Sequence, residues 1–320
     1  MANVKCLKKE SAISTAAQQK KSIFKVLWRY RYFYLFLAPA VIWFFIFKYV
    51  PMYGITLAFK EYRFDKGILG SEWVGLRYVK QFIFHYDFWM LMRNTVSISA
   101  MKLFVGFPMP IILALMLNEV SNNKFKRTIQ TVSYLPHFVS WVVVVALMNK
   151  FLTPYGGLIN ELLGKFGVEP INFMGEKAWF YPLVLISSIW KEVGWGSIIY
   201  LAAIAGINQD IYEAAALDGA GKLKSILYIT IPCVLPTAGI MFIMKVGTLI
   251  EAGFDQIYLM QTPGVLDVAE VLDTYVVKTG IREGMFSFAT AVGLFKSIIA
   301  LILIVVTNAV SKKLSDVALW

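Results

Sequence analysis

The chain has 320 residues, of which 58% are apolar and only 16% charged, and its mean hydropathy is +0.64. A soluble domain is about half apolar and a quarter charged, so this surplus exceeds one buried core and points to lipid as the solvent. The net charge of +11 would suit nucleic acid if the basic residues shared one folded face, but they cluster between long apolar runs, which is a topology signal. Cys6 and Cys233 are far apart, as are His85 and His137, so neither a disulfide framework nor a metal site is expected. Composition excludes a secreted scaffold and a soluble enzyme. It describes an integral membrane protein.

In chain order, the first element is a tail, residues 1–31, with eight Lys or Arg against the single acid Glu10. It ends in Trp28-Arg29-Tyr30-Arg31, an aromatic and basic anchor, and is too long for a cleaved signal peptide. A helix needs about 20 apolar residues to cross a bilayer. Six stretches qualify: Tyr32–Phe59 (broken by Lys48 and Pro51), Asn94–Leu117, Thr131–Asn149, Phe180–Ala205, Cys233–Phe254 and Phe288–Val310. Pro108 and Pro110 fall inside the second, where membrane helices tolerate them. The expected class is therefore all-α. Residues 32–93 hold the first helix and an outer loop, 94–310 a five-helix core, and 311–320 a C-terminal tail.

With six spans, the pieces 1–31, 118–130, 206–232 and 311–320 share one side and carry fifteen Lys and Arg against six Asp and Glu. The opposite pieces 60–93, 150–179 and 255–287 carry ten against twelve, with Lys150 assigned to a span edge. The positive-inside rule places both termini in the cytoplasm. The outer stretch Phe82-Ile83-Phe84-His85-Tyr86-Asp87-Phe88-Trp89 suits short amphipathic helices lying at the interface, as anchors or as a docking surface.

The inner piece 206–232 has 27 residues, where a turn needs only a few. Asp210 is placed to cap a helix and Glu213 to close a capping box. Ala214, Ala215 and Ala216 favour helix, and Gly219 and Gly221 break it. A second short helix is expected over Lys222–Tyr228, with Pro232 before the next span. Such a hairpin suits insertion into a groove on a soluble partner, or a plain interfacial hairpin.

These residues carry a family resemblance. Glu213-Ala214-Ala215, then Gly219, then nine residues, then Ile229-Thr230-Ile231-Pro232 resembles the EAA motif of bacterial ABC importer permeases, with Ile231 where the pattern has Leu. Trp190-Lys191-Glu192-Val193-Gly194-Trp195, Tyr212 to Ala220 and Gly253-Phe254-Asp255-Gln256-Ile257-Tyr258 are similar to the carbohydrate-uptake permeases of the maltose and multiple-sugar type, as is the ending Val317-Ala318-Leu319-Trp320. Within that group the chain looks most like the LplB-like permeases of polysaccharide and complex-oligosaccharide uptake.

The resemblance implies a type I importer in the bacterial cell membrane, built from this chain, a second paralogous permease, an ABC ATPase dimer and an extracytoplasmic solute-binding lipoprotein that delivers an oligosaccharide. ATP and Mg would be bound by the partner ATPase, and no cofactor by this chain. The Glu213 carboxylate would pair with a residue in the ATPase cleft. Ala214, Ala215, Asp218, Gly219, Ile229 and Pro232 would complete the coupling element, and ATP-driven closure would switch the path between sides.

Gly219-Ala220-Gly221-Lys222 fails the phosphate-loop pattern, because Ala216 stands at the first glycine position and Leu223 follows Lys222. No Ser/His/Asp set or carboxylate pair stands in a catalytic context, so no enzyme activity is expected. Ionisable residues within spans are costly and mark functional sites by default. They are Lys102, Lys191, Glu192, Lys245, Glu251 and Lys296. Together with Trp190 and Trp195, some would line a sugar path. Alternatively they pair with each other, and Lys102 snorkels. A permease for a non-sugar solute and a secondary transporter are the rival functions, although no inverted repeat is visible.

Overall fold

A computed structural model describes residues 28–315, which are mostly helical. The basic tail and the last five residues, with the Val317–Trp320 resemblance, lie outside the described residues. The chain separates into two compact units divided between Thr56 and Leu57.

In the first unit, helix α1 (Arg31–Phe44) gives way to a π turn, Phe45–Tyr49, and then to a 3-10 stretch, Val50–Phe59, around Pro51. A proline ring clashes with the carbonyl four residues back, and its nitrogen has no proton to donate. Here Val50, just before Pro51, donates instead to the Phe45 carbonyl five residues back. The same solution recurs twice in the second unit. Phe107 donates to the Lys102 carbonyl before Pro108, and Ile231 to the Ile226 carbonyl before Pro232.

The second unit opens on two strands of two residues each, β1 (Lys60–Glu61) and β2 (Glu72–Trp73), paired antiparallel with Phe59 stacked on Trp73. This hairpin is a small departure from the all-α expectation. Helix α2 (Arg77–Ile83) leads to α3 (Phe88–Met101), which continues through a π turn, Lys102–Gly106, into α4 (Pro108–Glu119). The aromatic stretch 82–89 is divided by position. Phe82 and Phe88 are buried against Phe288 and Phe295, whereas Phe84, Tyr86 and Trp89 are exposed. The stretch thus has one aromatic set in the core and another exposed.

The third predicted span is not straight. Helix α5 (Asn123–Tyr134) passes through a 3-10 turn, Leu135–Phe138, and bends by 101° into α6 (Trp141–Leu152). Pro136 and the Ser140 cap, whose hydroxyl accepts from Val143, set the break. Helix α7 (Lys177–Ala205) then runs unbroken for 29 residues.

Helix α8 (Gln209–Leu217) begins the inner hairpin. Its cap is Asn208, whose side chain accepts from the Asp210 amide, so Asp210 lies in the first turn rather than at the cap. Helix α9 (Lys222–Ser225) merges through the π turn Ile226–Thr230 into α10 (Ile231–Gly247). The second arm of the hairpin and the fifth span are thus one continuous helix, not two elements separated at Pro232. That span also ends at Gly247 and not Phe254, because residues 248–253 form an irregular turn closed by Gly253 at φ +96°.

Residues 255–287 are not a loop. Helix α11 (Phe254–Met260), a 3-10 turn, Pro263–Val265, and helix α12 (Leu272–Val277) fold back into the core, where Ile257, Val265, Ala269, Val271 and Leu272 are fully buried. Helix α13 (Phe286–Ser315) closes the chain. Among the described residues, four helical runs are long and apolar enough to cross a membrane, at 31–59, 88–119, 222–247 and 286–313; the bent α5–α6 pair makes a fifth if it counts as one span. Helix α7 has the length, but Lys191 and Glu192 interrupt its apolar surface.

Candidate translocation cavity and coupling hairpin

The break between α5 and α6 leaves the His137 and Val139 carbonyls without helical partners, while Pro136 accepts from the Val139 amide, and in an apolar interior each orphan needs a donor. Lys191 supplies them. Its Nζ is buried and donates to the carbonyls of Pro136 (3.2 Å), His137 (2.6 Å) and Val139 (2.7 Å). The next residue projects about 100° further around α7. Glu192 therefore faces elsewhere and meets His137 Nδ1 at 3.1 Å. One turn on, Gly194 allows direct backbone contact: a Cβ there would stand 2.0 Å from the Ser133 carbonyl oxygen. Trp195 stacks on His137, with centroids 4.6 Å apart and planes within 2°. The run 190–195 is thus the strip on α7 against which the broken helix docks. Trp190 is half-exposed and lies outside the cavity wall, whereas Glu192 and Trp195, also half-exposed, line it.

Beside this strip lies a cavity of about 450 Å³. Its wall takes Ser99 and Lys102 from α3 and its π turn, Ser188, Glu192 and Trp195 from α7, and Lys245, Thr248 and Glu251 from α10 and the turn beyond it. Five of the eight residues named as path candidates are brought together here: Lys102, Glu192, Trp195, Lys245 and Glu251. Lys296 is not in the wall; it pairs with Asp273 and reaches Glu251 at 4.0 Å from behind. His137, which organises Glu192 and Trp195, was not singled out by sequence. Nothing in its neighbourhood distinguishes it until the chain bends at Pro136.

A polar knot fixes the far wall. Lys102 Nζ donates to the Ala252 carbonyl (2.8 Å) and to Gln256 Oε1 (2.7 Å), in the space Gly253 leaves by having no Cβ. Gln256 in turn donates to the Val184 carbonyl and to Ser187 Oγ, both at 2.8 Å, and accepts from Ser188. The knot joins α3, α7 and α11 where the fifth span breaks. Gln256→Leu would strip the half-buried Lys102 ammonium of an acceptor and should cost about 1–3 kcal/mol. The expected result is a lower melting temperature in detergent, with no change in membrane insertion.

The hairpin is at the other end of α7. Gly219 has φ +77°, its amide donates to Ala216 and the Ala220 amide to Ala215, closing α8 with a Schellman turn. Tyr212 bonds Thr230 at 2.9 Å and pins α8 to the π turn of the following helix. Glu213, Ala214 and Asp218 are exposed on the outer surface of α8 with Leu217, Ala215 and Ile229 are half-buried, and Pro232 is exposed.

A family model for the binding-protein-dependent transport system inner membrane component matches residues 106–316, which take in the hairpin and most of the cavity wall. The chain belongs to that family. It is 44% identical to the polygalacturonan/rhamnogalacturonan transport system permease protein YteP of Bacillus subtilis, over 97% of each chain. To protein LplB of the same organism it is 43% identical over 98% of each. Among solved structures it resembles a chain of a bacterial ABC transporter involved in import of the acidic polysaccharide alginate, with 37% identity and a TM-score of 0.86, covering 92% of this chain and all of that one. This permease therefore has the type I ABC importer permease fold anticipated from the EAA motif.

Proposed function

We propose that this permease imports oligosaccharides or polysaccharide fragments by alternating access, as the membrane subunit of an ATP-driven complex. The observation that carries this reading is the cavity, in which ammonium, carboxylate, hydroxyl and indole groups converge within a family of inner-membrane transport components. Sugars are held by hydrogen bonds and aromatic stacking, and these groups supply both. The substrates for which the relatives are named, polygalacturonan/rhamnogalacturonan and alginate, are of the same chemical kind.

The chain crosses the bacterial cell membrane six times, counting α7 and the bent α5–α6 pair as spans, with both termini cytoplasmic. It works with a second, paralogous permease, an ABC ATPase dimer docked on the hairpin, and an extracytoplasmic binding protein. A related alginate transporter complexed with its alginate pentasaccharide-bound periplasmic protein supports the last partner. The exposed Leu217, Leu223 and Tyr228 offer the ATPase an apolar surface around Glu213. ATP, Mg and hydrolysis belong to the ATPase, with this chain as its membrane partner.

Proteoliposomes holding the complete complex should accumulate an oligosaccharide only with ATP and the loaded binding protein. In the same vesicles, Cys6 of a Cys233→Ser variant should react with an impermeant maleimide only from the ATP-accessible side. Accumulation of peptides or amino acids instead of oligosaccharides would overturn the substrate class, and labelling of Cys6 from the other side would overturn the orientation.

A further inference from the structure

The cavity wall carries two ammonium groups, Lys102 and Lys245, and two carboxylates, Glu192 and Glu251, and among the described residues no ion pair joins one set to the other. Both carboxylates in the wall have cationic or hydrogen-bonding partners behind them: Glu192 meets His137 at 3.1 Å, and Glu251 is within 4.0 Å of Lys296. The two wall lysines are not neutralised in this way. The acceptors on Lys102 are a carbonyl and an amide oxygen, both neutral, which use two of its three donors. Among the described residues, the Lys245 side chain has no hydrogen bond or ion pair, and it is exposed in the wall. Lys102 lies within electrostatic reach of Lys245 and, less strongly, of Glu192.

Like charges held close in a poorly screened pocket are unfavourable unless an anion joins them. An ammonium left without a counter-ion inside a span is costly for the same reason. Thr248 and Ser99 add hydroxyls beside this pair, and Trp195 adds a flat apolar face.

We propose that Lys245, with the free donor of Lys102, forms a carboxylate subsite that selects acidic sugars, with a uronate ring lying on Trp195 and its carboxylate on Lys245. This rests on the oligosaccharide reading above and narrows it to uronate-containing chains. Lys245 is the specificity-determining residue. Lys102 also holds the turn at Gly253, so its substitution would disturb the wall itself.

The test uses the purified complex without binding protein, so that discrimination upstream plays no part. Trigalacturonate and its fully methyl-esterified form are titrated, with tryptophan fluorescence as the readout because Trp195 and Trp141 both line the cavity. The acid should bind about tenfold or more tightly than the ester, the change expected for one charge-assisted contact of roughly 1.4 kcal/mol or more. Raising the salt should weaken the acid alone. In Lys245→Gln the preference should fall close to one, and Lys245→Arg should restore most of it.

Equal binding of acid and ester by the wild type, or a preference that survives Lys245→Gln, would overturn the subsite. In either case ATP-dependent uptake of a neutral oligosaccharide would leave the importer reading standing. If no oligosaccharide of either kind is taken up by the complete complex, both fall together.

Discussion

Gly219→Val should uncouple this permease from its ATPase, while Gly219→Asn should retain most of the coupling. At φ +77° an ordinary side chain costs about 1–2 kcal/mol, and a β-branched one is the worst choice; asparagine tolerates the left-handed region. Nothing lies within 4 Å of a Cβ built at Gly219, so the penalty is backbone strain and not a clash. The strain falls on the Schellman turn that directs α8 back toward Lys222, and relieving it would re-aim Glu213 and Leu217. Measured as ATP hydrolysis by the reconstituted complex, valine should reduce turnover about tenfold or more, since 1.4 kcal/mol is a factor of ten. Glu213→Ala should exceed that loss without disturbing the turn. On the docking proposed above, it would leave the ATPase partner of Glu213 unpaired, at a cost of about 2–5 kcal/mol. Full ATPase co-purification and turnover in both Gly219→Val and Glu213→Ala would reduce the hairpin to a surface feature.

The largest stability effect is expected at Gly194. A single methyl there would meet the Ser133 carbonyl oxygen at 2.0 Å and its carbon at 2.3 Å, both backbone atoms that cannot turn aside. Overpacking of this kind costs about 1–3 kcal/mol where side chains can yield. Here α7 must instead draw away from the end of α5, which breaks the Lys191 bonds to the carbonyls of 136, 137 and 139 as well. Gly194→Ala should therefore lower the melting temperature by roughly 5 °C or more. It should also distort the cavity, because Glu192 and Trp195 are held by the same contact. A companion Ser133→Gly should not rescue it, because the obstacle is main chain. Rescue would show that the Ser133 side chain, and not its carbonyl, sets the approach.

Much of this architecture was legible from sequence, and the parts that were not share a cause. The apolar runs located α3–α4, α7 and α13 to within a few residues, because lipid demands length and hydropathy and both are written locally. The EAA spacing located the hairpin for the same reason: it is a local pattern. The buried segment 255–287 looked like an outer loop because Asp267, Glu270, Asp273 and Glu283 interrupt it. Its burial depends on Leu272 and Tyr275 meeting Phe288 and Val292, and on Val265 and Ala269 meeting Val184 and Ile98. No one-dimensional pattern states those contacts. In the cavity, residue type identified Glu192, Trp195, Lys245 and Glu251. Direction separated them from Trp190, Lys191 and Lys296, and direction comes from which neighbour packs where. Lys191 and Glu192 are adjacent in sequence, yet one mends a broken helix and the other faces the cavity.

The three wide turns before Pro51, Pro108 and Pro232 have a consequence beyond accommodating a ring. Each contains one residue more than a regular helix would use, so the side chains beyond it are rotated by about 100° relative to those before it. A stripe of residues that follows one face up to Lys102 or Ile226 does not continue on that face afterwards. Each turn therefore marks a phase boundary within what looks like a single rod. On either side of it, a lipid-facing or cavity-facing pattern can be altered without forcing a matching change on the other, much as two dials on one shaft can be set apart. For the helix that runs from the hairpin toward the cavity, the surface at the hairpin and the surface at the cavity are free to evolve separately.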